Sequence, residues 1–399
     1  MNTSYLRAFL YDSSHQELEV LAKNIFNSWE DGIGVSVIDK NLPKHLVDSK
    51  IISIDPGDVI DIATNEIYKR DLAIFDENIS VVSLTSGTTS KQKPVVHTFD
   101  SMMNSVQAMS DTLNLTSDDS WLLTLSPKFI GGMAVLSRAF YLKQKISFIN
   151  KFNIQSLGEK IAIEKPSLVS LVPAQLKVLL DAGIDLSGFK AILIGGSSIN
   201  KSLIKRCMDL DYKIHTTYGM TETFGGICHD SKLFKNTQAR IIDEEIQLKS
   251  TSIFSSYRHN FVATNQKFTN DGWYKTGDLG TINESGELKV NGRSDDIIIS
   301  GGIKINPIEI ELKLKQHIDD AFIVGGKEHE KWGQALSVIF EGDIPENISI
   351  ASIRELLKDD FEKMYLPTQL GSSSKFIRTE SGKIIRKQTI LNSTIAEVN

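Results

Sequence analysis

The apolar stretch Ile79 to Leu84 runs without a break into Thr85-Ser86-Gly87-Thr88-Thr89-Ser90-Lys91-Gln92-Lys93-Pro94. A short apolar run bounded by turn residues reads as a buried strand. The residues after it suit neither a helix nor a strand. Small hydroxyl side chains and glycine let backbone N–H groups approach a polyanion closely, and the hydroxyls and the lysines add donors and charge. The bland alternative is a polar surface turn, which a run of Ser/Thr/Gly residues after a buried strand makes the less favoured reading. A Walker loop needs a second glycine followed by Lys-Ser/Thr, which is missing here, so a P-loop NTPase is disfavoured.

Helical and strand patterns alternate along the first part of the chain. HQELEVLAKNIFNSW and SMMNSVQAMSDTLNL read as helices, and IISID, DLAIF, SWLLTLS and AILIGG as strands. SLVSLVPAQLKVLLDAG reads as a strand and then a helix. This alternation argues for layered α/β structure with mixed sheets. After about residue 240 short strands, polar turns and Gly pairs dominate. A boundary is expected at the polar Gly292-Arg293-Ser294-Asp295-Asp296, giving a large domain over 1–291 and a small α+β domain over 292–399. The small domain's helices are expected at PIEIELKLKQ and ISIASIRELLKDDFEKM, with a strand around QALSVIFEG. The basic tail SSSKFIRTESGKIIRK reads as a mobile loop.

With 399 residues, 41% of them hydrophobic and 24% charged, the chain is long enough for two globular cores. A net charge of −6 argues against nucleic acid as a partner. No signal peptide and no membrane span is expected. Cys207 and Cys228 form no CxxC or Cys/His pattern, so a disulfide framework is excluded and a cytoplasmic location is expected.

Four further segments carry candidate chemistry. Thr216-Thr217-Tyr218-Gly219-Met220-Thr221-Glu222-Thr223 offers an aromatic face for a base, hydroxyls for phosphate and a carboxylate for Mg²⁺. Tyr274-Lys275-Thr276-Gly277-Asp278-Leu279-Gly280 places an Asp where it could grip ribose hydroxyls. Gly292 to Asp296 and Ser381-Gly382-Lys383-Ile384-Ile385-Arg386-Lys387 complete the set. In isolation each is as readily an ordinary turn. His97 and His215 give no catalytic dyad signal and read as residues satisfying local hydrogen bonds.

In this order and spacing, the five segments resemble the adenylate-forming superfamily of acyl-CoA ligases, peptide-synthetase adenylation domains and luciferases. The resemblance covers about residues 80–390. It implies a large layered domain, a small mobile lid, and ATP and Mg²⁺ as cofactors, with CoA as co-substrate. Thr85, Ser86, Gly87, Thr88, Thr89 and Lys93 then hold the ATP phosphates. Gly195, Gly196 and Ser197 line the adenine pocket with Thr217, Tyr218 and Gly219. Thr221 contacts the α-phosphate, Glu222 binds Mg²⁺, Asp278 holds the ribose, and Arg293 supports ribose and phosphate. Asp295 matches the hinge, within 294–296, and Lys383 the lysine that bridges the substrate carboxylate and the α-phosphate. The loop departs from the family pattern at Ser90, Gln92 and Pro94.

Only 84 residues precede the phosphate loop, fewer than most members carry. SLVPAQLKVLL followed by AILIGGSSI resembles the matching region of o-succinylbenzoate–CoA ligases of menaquinone biosynthesis, as does Ser126-Pro127-Lys128-Phe129-Ile130-Gly131-Gly132. An aromatic diacid needs apolar walls and a cationic or hydroxyl anchor. Lys128 and Arg138 are the candidate anchors and Phe129, Gly131 and Gly132 the candidate walls; for Arg138 a surface helix charge is the equal alternative. Other acyl- or aryl-CoA ligases, a stand-alone enzyme loading a carrier protein, and a non-catalytic nucleotide-binding homologue stand as rival readings. A homodimer stays open.

Overall fold

The computed structural model describes residues 5–13, 17–70, 78–85, 92–149, 153–197, 199–380 and 382–398. Within it Ile79–Leu84 is a strand buried along its whole length. Its apolar run lacks alternation because both faces of its sheet are covered. That sheet has seven strands in the order Ser256–Tyr257, Pro94–Thr98, Ile79–Leu84, Gly34–Asp39, Leu6–Tyr11, Asp58–Asp61, Ile67–Lys69. Its central strands are parallel; Pro94–Thr98, Ser256–Tyr257 and Ile67–Lys69 pair antiparallel at its margins.

A second seven-stranded sheet runs Lys232–Leu233, Gly225–His229, Ile214–Met220, Ala191–Ile194, Leu168–Leu171, Ser120–Leu123, Lys145–Phe148. Helix Phe99–Leu113 touches strands of both sheets. It starts on a reciprocal capping box: Thr98 Oγ1 accepts from Ser101 N and Ser101 Oγ accepts from Thr98 N, both at 3.1 Å. Because Thr98 also ends a strand, the cap fixes the helix directly after the strand pair Ile79–Leu84 and Pro94–Thr98. Phe9, Trp29, Val81, Trp121, Leu136 and Phe224 share one core across the two layers.

The antiparallel third sheet, Thr237–Ile242, Glu245–Ser250, Tyr274–Ile282, Leu288–Arg293, is tied to the others by an aromatic cluster. Phe254 lies 4.8 Å from the Tyr257 ring and 5.5 Å from that of Tyr274. A fourth sheet is drawn wholly from residues after Arg293. It has Gly333–Glu341 between Phe322–His329 and Gln369–Ser373, and its own core of Ile310, Leu314, Phe340, Ile353 and Leu370. Among the described residues no helix is long and apolar enough to cross a membrane.

Four readings of the sequence need correction. IISID is not a strand: Ile51–Ile54 close the helix Lys44–Ile54, which Asp55 ends in the left-handed region at φ 50°. Val47, Ile51 and Ile54 sit at helical spacing and pack together, so the period of 3.6 wins over the local β-branching. The expected long helix from Ile348 stops at Leu357, and a short 3₁₀ turn, Lys363–Tyr365, follows. The basic tail is not an open loop. Its first residues lie in strand Gln369–Ser373, Arg378 bridges Ile384, and Arg386–Leu391 is helical. Arg386 is drawn inward by Glu311 and the Val324 carbonyl. Arg138 is no surface charge either. It is 5% exposed, on a helix buried on nearly all sides, with its guanidinium 4.7 Å from the Trp121 ring centroid. Burial pushes its pKa down to about 9 and leaves Nε without a hydrogen-bond partner. The expected strand DLAIF lies outside the described residues.

Strand Ile214–Met220 carries the YGM sequence and bulges between Tyr218 and Gly219. A Cβ on Gly219 would lie 1.7 Å from the Gly225 carbonyl oxygen, and backbone cannot step aside. Gly219→Ala should therefore destabilise the fold by at least ~3 kcal/mol, read as a lowered urea midpoint at unchanged slope.

Candidate active site

The three N-terminal sheets meet at two carboxylates. Asp278, in strand Tyr274–Ile282, is 6% exposed. The Tyr218 hydroxyl donates to its Oδ2 at 2.6 Å, and Arg293 Nη1 donates to its Oδ1 at 2.9 Å. Burial and then the Asp278 charge raise the Tyr218 pKa well above its usual value, so the phenol stays a donor. Burial alone would lower the Arg293 pKa; Asp278 and Asp295 raise it. Gly277 precedes the Asp at φ +77°, a turn that favours glycine.

Glu222 stands in the short 3₁₀ turn Thr221–Thr223 that follows Met220. Its Oε1 accepts from the Tyr257 hydroxyl at 2.7 Å, which ties the second sheet to the edge of the first. Its other oxygen has no hydrogen-bond partner among the described residues, so it is open to a hard cation, which prefers oxygen ligands. Lys93 lies over the Tyr257 ring at 4.8 Å. Next to Glu222, the Thr221 carbonyl accepts from His97 Nε2 at 2.7 Å. His97 is fully buried and burial lowers its pKa to about 4, so it serves as a neutral strut under the turn.

Lys383 faces the same place. It is an exposed residue, but one whose surroundings still disfavour its charge. Desolvation lowers its pKa; Asp278 and Glu222 pull it back up, and Arg293 pushes it down. Lys267 shows the same pattern, lowered mainly by burial and raised by Glu222 and Glu245. A polar cavity of about 270 Å³ opens beside them, lined among others by Lys93, Glu245, Lys267, Lys275, Arg293 and Asp295. Four cations against two carboxylates make it fit for a phosphate-bearing ligand.

The remaining expected residues fall as follows. Gly195 passes so close to Thr217 that a Cβ would meet Thr217 Oγ1 at 2.5 Å; Gly196 has φ +85°, and it and Ser197 are exposed. Thr217 Oγ1 donates to the Ile194 carbonyl at 3.3 Å. Thr85 and Lys93, the ends of the loop expected to hold phosphate, are joined by Thr85 N to Lys93 O at 2.9 Å and Lys93 N to Thr85 Oγ1 at 3.0 Å. Ser86, Gly87, Thr88 and Thr89 lie outside the described residues. Asp295 is exposed in the turn Ser294–Asp296, which is pinned by Ser294 Oγ donating to the Gly277 carbonyl at 3.0 Å. Lys128 is already paired, with Asp39 at 3.1 Å and Glu380 at 3.7 Å, and also lies 5.2 Å from the Phe129 ring centroid. Gly132 is a packing glycine, its Cβ position 2.5 Å from the backbone of Leu125 and Ser126, while at Gly131 the nearest atom is the Leu125 side chain at 3.2 Å. Tyr257 and Lys267 escaped the sequence reading because they sit in SSYRHNFVATNQK, which has no motif; only the fold brings them to Glu222.

Against known families, residues 22–249 match the model of the AMP-binding enzyme. The chain belongs to the AMP-binding enzyme family. Relatives in this family include the 2-succinylbenzoate–CoA ligase of Listeria monocytogenes serotype 4b (strain F2365), 31% identical over 77% of this chain and 68% of the relative. The enzyme of the same name from Lactococcus lactis subsp. lactis (strain IL1403) is 31% identical over 78% and 71%. Among solved structures, the o-succinylbenzoate CoA synthetase of Bacillus subtilis in complex with its acyl-adenylate intermediate superimposes with a TM-score of 0.85 at 23% identity, covering 99% of this chain and 89% of that one. ATP-bound MatB from Rhodopseudomonas palustris gives 0.84 at 18% identity, over 97% and 88%. These likenesses extend this AMP-binding enzyme's fold across its four sheets.

The buried strut has a pH consequence. The folded chain holds His97 neutral, whereas the unfolded chain takes up its proton below pH 6.5. The stability this contributes is complete above pH 6.5 and is lost as pH falls toward 4. The fall in pKa from 6.5 to about 4 corresponds to about 3 kcal/mol at ~1.36 kcal/mol per pKa unit. Urea unfolding of parent and His97→Gln at pH 6.5 and 4 should show the parent losing up to that much more than the variant.

Proposed function

We propose that the chain is an AMP-forming acid–CoA ligase that converts o-succinylbenzoate, with ATP and CoA, to its CoA thioester. The reading rests first on the relatives at 31% identity that carry the name 2-succinylbenzoate–CoA ligase. It rests equally on the convergence of Tyr218, Glu222, Asp278, Arg293 and Lys383 on one cleft. In this reading Asp278, fixed by Tyr218 and Arg293, receives the ribose hydroxyls, and Gly195 to Ser197 with Thr217 and Gly219 form the surface for adenine.

The first step joins two anions: the substrate carboxylate attacks the α-phosphorus and pyrophosphate departs. Their repulsion has to be cancelled for them to meet. In this reading Lys383 is the cation that stands between them, with Asp278 and Glu222 near enough to act on its charge. Thr221, with its backbone braced by His97, is set to meet the α-phosphate. Lys93, Lys267 and Lys275 line the cavity where phosphate charge gathers. Glu222 is the carboxylate offered to Mg²⁺, which when bound neutralises charge on the polyphosphate. These residues position and compensate charge, and none has to move a proton.

The second step requires Lys383 to make way for the thiol of CoA. Gly292 and Arg293 still belong to the third sheet; the residues after Asp296 form their own sheet and core, joined to the rest through Ser294–Asp296, and in this reading they turn about that segment. For the acid itself Lys128 is a weaker anchor than a free lysine, because Asp39 and Glu380 already neutralise it.

Two measurements test the reading. Pyrophosphate release with ATP, Mg²⁺ and a panel of carboxylic acids should occur with o-succinylbenzoate and proceed to a thioester once CoA is added; release with a different acid alone would replace the substrate and keep the mechanism. Lys383→Ala should lower adenylation by ~10²–10³-fold, as for one lost transition-state donor. It should spare thioester formation from supplied acyl adenylate, and equal loss in both half-reactions would remove Lys383 from the role.

A further inference from the structure

We propose that Glu380 is a positioning residue: a carboxylate latch that holds the turn carrying Lys383 against the body of the protein for adenylation and has to release before the thioester step. The inference rests on the two-step ligase reading above.

Glu380 and Lys383 share one tight turn. Thr379 N donates to the Lys383 carbonyl at 2.8 Å, Gly382 N donates to the Thr379 carbonyl at 2.9 Å, and Lys383 N donates to Thr379 Oγ1 at 3.1 Å. Gly382 supplies the φ of +83° that the turn needs. With both ends pinned, the turn moves as a unit, so whatever holds Glu380 sets the place of Lys383.

Two lysines hold it. Lys50 Nζ, on helix Lys44–Ile54, is 3.2 Å from Glu380 Oε1, and Lys128 Nζ is 3.7 Å from Oε2. The side chains of Lys50 and Lys128 are only 12% and 16% exposed, and that of Glu380 is 30% exposed. The carboxylate enters a small recess walled by Val37, Leu42, Leu84 and Phe129. Exposed ion pairs contribute little, but a pair largely withdrawn from water is screened less. Lys50 also hydrogen-bonds Gln92, at the end of the phosphate loop, so the latch reaches that loop as well. Asp39 gives Lys128 a second partner; for Lys50 the other partner among the described residues is the neutral Gln92. When Glu380 leaves, two half-buried lysines therefore keep one carboxylate between them, an imbalance that favours the latched arrangement. Glu380 touches none of Asp278, Glu222 or Arg293 through a hydrogen bond or ion pair among the described residues. It acts through the turn rather than on the reacting atoms.

The test compares parent, Glu380→Gln, Glu380→Asp and Lys50→Met by three readouts. Spin labels on exposed positions of the two parts, Ile163→Cys and Met364→Cys, give the distance distribution without any substrate. Adenylation is followed as pyrophosphate release, and thioester formation from supplied acyl adenylate and CoA. Glu380→Gln should move roughly tenfold of the population ratio away from the latched distance, equal to about 1.4 kcal/mol. Adenylation kcat should fall by about the same factor with KM for ATP within about twofold. Thioester formation should hold or quicken, Glu380→Asp should recover part of the adenylation loss, and Lys50→Met added to Glu380→Gln should cost little more than either alone. Unchanged distances, or equal loss in both half-reactions, overturn the latch. If the parent adenylates no acid, the ligase reading fails while the distances still decide whether Glu380 holds the turn.

Discussion

Much of this structure depends on one carboxylate. Asp278 is buried, and a buried carboxylate is costly unless its oxygens are matched. The match comes from Tyr218 on the second sheet and from Arg293 at the last residue before the turn into the C-terminal part. One carboxylate therefore ties the second sheet to the third and fixes the strand end from which the C-terminal part starts. Removing Asp278 would strand a buried phenol and a guanidinium as well as a ligand group. The site and the joint between layers are the same object, so the binding surface cannot drift without the sheets separating.

A second carboxylate repeats the device on the other side of the cleft. Glu222 is held by Tyr257 from the margin of the first sheet, and the turn that carries it is braced from beneath by neutral His97. With both acids fixed, the cations settle around them: Lys93 over the Tyr257 ring, Arg293 on Asp278, and Lys267 and Lys383 desolvated enough that their pKa values fall. In the proposed reading a phosphate-bearing ligand brings negative charge beside Lys267 and Lys383, and the protein's charges are in position before it arrives, so little reorganisation opposes the reaction.

What the sequence disclosed and what it hid follow from the range of the interactions. The strand Ile79–Leu84, the helix Phe99–Leu113 and the Gly277 turn were legible because their causes lie within a few residues: an apolar run, a helical period, a turn with positive φ. Tyr257, Lys267 and Glu380 were not, since each matters only through a partner brought to it by the fold. The surface alternative for Arg138 failed for a different reason. Its helix, Ile130–Leu142, is buried on nearly every face, so the amphipathic pattern that normally tells inside from outside is absent, and a charge there reads as surface. The basic tail misled in the same way: Arg386 looks solvated in sequence but closes a buried network with Glu311 and the Val324 carbonyl.

That network decides where motion can occur. Arg386 binds Glu311 from a helix and reaches Asp296 at 3.7 Å, so the tail, the helix Pro307–Leu314 and the end of the turn Ser294–Asp296 are fastened into one piece. Asp296 is itself withdrawn from water, which raises its pKa, and Arg386 offsets part of that cost. On the other side of the same turn, Ser294 Oγ donates a single hydrogen bond to the Gly277 carbonyl, and Asn306 Nδ2 reaches the Asn291 carbonyl at 2.9 Å. With Arg293 also held on Asp278 at 2.9 Å, both flanks of the three-residue turn are fastened to their own bodies, and backbone change is concentrated between them. The proposed rotation about this turn needs that arrangement, because two bodies can exchange positions only if each is stiffer than the link between them.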